Sequence, residues 1–75
     1  MLTIIVSKKS RIADYLYDFR FLYRVFAEDS TQVTFLYGGS REPLPVISKL
    51  VSMFEPEKYT ISKSTTGISF TVFPL

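Results

Sequence analysis

Residues 12 to 26, IADYLYDFRFLYRVF, carry six of the chain's twelve aromatic side chains and fit two secondary-structure periods at once. Read as a helix, Ile12, Leu16, Phe19, Tyr23 and Phe26 recur at spacings of four, three, four and three, which lines up one apolar face. Read as a strand, Tyr15, Tyr17, Phe19, Phe21, Tyr23 and Val25 occupy every second position. The two readings display different surfaces, so this segment constrains both the fold and the kind of partner. Between residues 11 and 28 there is no Gly or Pro. A single strand here would run to about twelve residues, roughly twice the usual length, whereas a helix of that length is routine. A short helix followed by a strand would need a break, and the sequence writes none. The expectation is a helix over 12–26. Two features oppose it: the like-charge pairs Asp14/Asp18 and Arg20/Arg24 at i,i+4, and the acids Glu28 and Asp29 at the helix C-terminus. Each costs a few tenths of a kcal/mol, less than burying the apolar stripe gains.

Around this segment the pattern is plainer. Leu2 to Val6 is a β-branched apolar run that reads as a buried strand, and Ser7 or Ser10 can cap the helix that follows. Asp29, Ser30 and Thr31 read as a turn into a strand over 32–37, where Val33, Phe35 and Tyr37 alternate with Thr34 and Leu36. After Gly38, Gly39 and Ser40, Pro43 and Pro45 suit the first turn of a second helix. Ile47, Leu50, Val51 and Phe54 give that helix its apolar face, and Pro56 closes it. Tyr59 and Ile61, then Ile68, Phe70 and Val72, alternate with hydroxyl residues on either side of 64–67, a hairpin with Gly67 at a positive-φ position.

The resulting fold class is α+β, a two-layer β-α-β-α-β-β arrangement over a single domain, residues 1–75. Its four-stranded mixed sheet packs both helices on one face and leaves the hydroxyl-rich face (Thr3, Thr34, Thr60, Ser62, Ser69, Thr71) in water. A right-handed crossover makes the first strand and the 32–37 strand parallel.

Composition narrows the chemistry. With 47% hydrophobic residues, 16% aromatics and net charge +2, the chain is not of a disordered type. It also has more apolar surface than two layers of this size hide, which favours self-association or a partner. No cysteine means no disulfide framework and, as an expectation, a cytoplasmic protein. Leu2 to Val6 is too short for a signal-peptide core, and no stretch approaches a membrane helix. Without His or Cys the usual zinc ligands and His- or Cys-based catalysts are missing. Asp14 and Asp18 share a helix face but have no recognisable co-ligand, and Gly38-Gly39-Ser40-Arg41 lacks the spacing and lysine of a phosphate loop. The reading is a protein that is not an enzyme, has no cofactor and no metal, and shows no small-molecule substrate.

Binding is what remains. With Ile12, Leu16, Phe19, Tyr23 and Phe26 turned inward, Tyr17, Phe21, Arg24 and Val25 form an uncovered aromatic ridge on the outer side of the first helix, with the anatomy of an interface core. The function expected is a protein-binding module that acts stoichiometrically on a partner protein as an inhibitor or regulator. Small phage-encoded proteins act on host machinery in this way, and a second copy of the chain is the other protein partner to consider. The alternative is single-stranded nucleic-acid binding. Residues 1–24 carry five bases against two acids, with Lys8, Lys9, Arg11 and Arg20 available for phosphate, and a strand reading would add an aromatic stacking row. A further alternative is a structural subunit of a larger assembly, using the same ridge permanently. No membrane partner is expected.

Overall fold

In β1, Leu2–Ser7, buried Leu2, Ile4 and Val6 alternate with the half-exposed Thr3, Ile5 and Ser7, so the strand has one core face and one wet face. The computed structural model describes residues 1–75 and places β1 at the centre of a five-stranded mixed sheet. The other elements are α1 (Arg11–Asp18), β2 (Tyr23–Glu28), β3 (Gln32–Tyr37), α2 (Pro43–Phe54), β4 (Lys58–Ser64) and β5 (Gly67–Phe73). Strand order is β2-β3-β1-β5-β4, with β1 antiparallel to β3 and parallel to β5. No helix is long and apolar enough to cross a membrane.

The α+β class and the two-helix layer agree with the sequence pattern, but three details of the expected fold are corrected. The sheet has five strands rather than four, and the order is β-α-β-β-α-β-β. Residues 12–26 are not one helix: α1 stops at Asp18 and a strand begins at Tyr23. The strand over 32–37 runs antiparallel to β1, because a hairpin now reverses the chain before it.

The break at 19–22 is made by main-chain hydrogen bonds, which is why no Gly or Pro marks it. Phe19 N–H donates to the Leu16 carbonyl, and the N–H groups of Leu22 and Tyr23 both donate to the Phe19 carbonyl. A longer-range bond, Gly38 N–H to the Leu22 carbonyl at 2.6 Å, ties this turn to the end of β3. Strand pairing then satisfies the β2 backbone along β3 and sets Tyr23 opposite Tyr37. The Arg20/Arg24 repulsion that a continuous helix would impose is removed.

Caps and turns follow side-chain chemistry. Ser10 Oγ accepts from Ile12 N–H at 3.0 Å and starts α1. Pro43 sits in the first turn of α2, and Glu55 in the left-handed region ends it. Asp29 Oδ1 accepts from the N–H groups of Thr31 and Gln32 at 2.8 and 2.9 Å, closing the β2–β3 turn.

One core joins both helices to one sheet face: Ile12, Ala13 and Leu16 from α1, Val46, Ile47 and Leu50 from α2, and Leu2, Ile4, Val6, Val33, Phe35, Phe70 and Val72 from the strands. No polar or charged residue is buried in it. On the opposite face the strand registers align Leu36, Thr3, Ser69 and Ser62 in one row and Thr34, Ile5, Thr71 and Thr60 in the next. That face is uncovered and rich in hydroxyls, as the alternation implies.

Candidate functional site

Only Tyr23 of the six β2 residues is buried. The strand pairs with β3 on one side and is the sheet's edge on the other, so its outer backbone N–H and C=O groups have no partner strand. Three apolar side chains crowd this edge and the turn that leads into it: Phe21 is 78% exposed, Phe26 68% and Val25 41%. The β2–β3 register skips between Val25 and Ala27, leaving Phe26 as the extra residue of a bulge.

The four residues assigned to the ridge therefore do not form a helix face. Tyr17 is on α1 and half-buried, its ring edge-on to Phe35 at 5.1 Å between centroids. Phe21 lies in the turn, and Arg24 and Val25 belong to β2. Arg24 pairs in register with Leu36 on the open face of the sheet, and Val25 pairs with Phe35 on the helix face. Phe26, placed inward by the helical reading, is among the most exposed apolar residues of the molecule. Neither sequence pattern singles it out: the helical stripe turns it inward, and the strand alternation from Tyr15 to Val25 does not include it.

Electrostatics fasten the edge to the body. Glu28 at the end of β2 takes a 3.1 Å ion pair from Lys8 and a 3.2 Å hydrogen bond from the Tyr17 hydroxyl. The Lys8 hydrogen bond, and after it that of Tyr17, holds the Glu28 carboxyl below the usual carboxylate range. Asp29 is also lowered, first by the Thr31 N–H and then by that of Gln32. Burial, and then the bond to Glu28, pushes the Tyr17 phenol up. Folded-state values depressed in this way add stability at pH above the unfolded carboxylate range, and that stability is lost as pH falls through the folded values. Urea midpoints should therefore drop as pH falls from about 5, just above the unfolded Asp and Glu values of about 3.9 and 4.3, through the lowered folded values. Glu28→Gln/Asp29→Asn should flatten that profile; an unchanged slope would show that these contacts do not form in solution.

The basic residues of the N-terminal third are dispersed. Lys8 is spent on Glu28. Arg11 donates to the Phe54 carbonyl at 3.4 Å and stacks over the Phe54 ring, 5.8 Å from its centroid, at the end of α2. Lys9 is exposed in the turn before α1, and Arg20 in the turn after it. Asp14 and Asp18 are exposed on α1, and no group of three or more acidic side chains gathers anywhere. Comparison with protein-family models, with curated proteins and with solved structures returns no match for this chain.

Proposed function

We propose that this chain is a small non-enzymatic protein-binding module that acts stoichiometrically, as an inhibitor or regulator, by offering the β2 edge to an extended segment of a partner protein. The observation that carries this reading is a sheet edge with an unpaired backbone on which Val25 and Phe26 are exposed, with Phe21 exposed in the turn before it. An added strand would satisfy the outer main-chain groups of β2, while the aromatic side chains supply the apolar contact and Arg24 helps to set register. The bulge at Phe26 limits indiscriminate edge-to-edge pairing while keeping one aromatic side chain extended.

The substitution pair Phe21→Ser/Phe26→Ser tests this. Both side chains are largely exposed, so the melting temperature should stay within a few degrees of wild type, as for most surface changes. Affinity for a partner captured by the wild type should fall by at least about thirty-fold, the effect of roughly 2 kcal/mol from an interface hot spot. Equal capture by wild type and variant overturns the reading. A wild-type dimer that becomes monomeric in the variant assigns the edge to a second copy of the chain.

Nucleic-acid binding has less support. Two of its four assigned phosphate contacts, Lys8 and Arg11, are engaged within the fold, and Tyr23 of the imagined stacking row is buried in the core.

A further inference from the structure

A groove of about 420 Å³ opens where the end of α1 and the turn after it meet the β3–α2 loop and the first half of α2. That volume lies within the range of ligand-sized pockets, roughly 300–1,000 Å³. Regular geometry builds its walls. Tyr15 and Phe19, one helical turn apart, stand with ring centroids at 4.8 Å. Tyr23 and Tyr37 face each other across β2 and β3, with centroids at 5.3 Å. The loop glycine at 39 makes room for this arrangement, since a Cβ there would run into the Tyr37 ring. The Tyr37 hydroxyl in turn accepts from Arg41 N–H at 3.4 Å, holding the loop to the aromatic wall.

Two cations, Arg41 and Lys49, complete the lining. Both are exposed, and neither has a carboxylate within ion-pairing distance, because the one ion pair of the molecule is Lys8–Glu28. Arg41 also acts on the aromatic wall. The Tyr23 phenol is pushed up by burial and then by the neighbouring phenols of Tyr15 and Tyr37, and the Arg41 guanidinium pulls it back. The groove thus combines an aromatic lining with two cations that no carboxylate pairs, and its complement is an aromatic ring that carries negative charge.

We propose that this groove binds a small planar aromatic anion, its ring held against the half-buried Tyr15, Phe19 and Tyr37 and its phosphate or carboxylate paired with Arg41 and Lys49. The groove shares Phe21 and Tyr23 with the β2 edge and the turn before it, but Phe26 is outside its lining, and the inference names a ligand class where the sequence pointed to none. None of the lining segments signals it alone, because they lie apart in the chain and the topology brings them together.

The test is an NMR titration of the whole chain with adenosine 5′-monophosphate, benzoate, adenosine and inorganic phosphate. We expect saturable shifts at the Tyr15 and Tyr37 rings with the monophosphate, benzoate or both, at least ten-fold tighter than with adenosine or inorganic phosphate. Arg41→Gln/Lys49→Gln, at two exposed positions, should keep a dispersed spectrum and weaken that binding at least ten-fold, whereas Phe26→Ser should leave it unchanged. Binding of only one of the two aromatic anions identifies the charged group preferred. Absence of saturation by either at millimolar concentration overturns the proposal. So does binding indifferent to Arg41→Gln/Lys49→Gln, or inorganic phosphate binding as tightly as the monophosphate.

Discussion

Replacing Phe35 by alanine is expected to cost about 3–5 kcal/mol, the usual loss for a buried Phe. A chain of this length has a total stability of about 4–11 kcal/mol at 0.05–0.15 kcal/mol per residue, so the variant should be marginally folded at best. Phe35 is fully buried, lies in register between Ile4 of β1 and Val25 of β2, and takes the edge of the Tyr17 ring. The cavity would open under both α1 and the edge strand, so the exposed β2 surface should be lost along with the fold. Urea unfolding followed by circular dichroism measures this. A loss below about 1 kcal/mol, far under the range for core aromatic truncations, would mean that Phe35 is not packed as described.

Gly67→Ala should be the most damaging of the glycine substitutions, for two additive reasons. The residue has φ of 144°, where an L side chain is strained, and its added Cβ would meet the main chain of Met1. Backbone strain alone costs about 1–3 kcal/mol. The same Met1 carbonyl accepts the Ile68 N–H at 2.9 Å, so displacing it also loosens the start of the β1–β5 pairing. Gly38→Ala is the matched control, since its Cβ would make an ordinary 3.6 Å contact with the Leu22 carbonyl. Equal urea midpoints for the two variants would contradict the assigned conformation at 67.

The sequence makes legible what local chemistry decides. Ser10, Pro43, Asp29 and Gly67 have the roles their residue types imply, and the alternation at 32–37 and 68–72 lies in strands with the expected faces. The missed break at 19–22 has no breaker residue. It depends on a hydrogen bond from Gly38 to Leu22 and on the Tyr23–Tyr37 pair, both long-range contacts. The like charges Arg20 and Arg24 are the local hint, but their repulsion of a few tenths of a kcal/mol is smaller than the gain from burying an apolar stripe. Tertiary pairing settled the segment instead. With the helix ending at Asp18, Phe26 lies on the surface and Arg24 and Val25 belong to a sheet edge rather than a helix ridge. The aromatic–cationic groove was hidden for a similar reason: Tyr15, Tyr37, Arg41 and Lys49 acquire a common environment only through the fold.

The central position of β1 also governs how the chain can reach this state. Its neighbours are β3 and, from the far end of the sequence, β5, so the middle of the sheet closes only when residues near 68–71 pair with residues 2–5. During synthesis β1 emerges well before the β5 it pairs with. Until then β1 keeps an open side, and fragments lacking β5 should neither fold stably nor resist proteolysis. Closing so large a loop before its contacts repay the entropy should make folding slower than for a helical domain of this length, with the hairpins β2–β3 and β4–β5 as the parts that can form early.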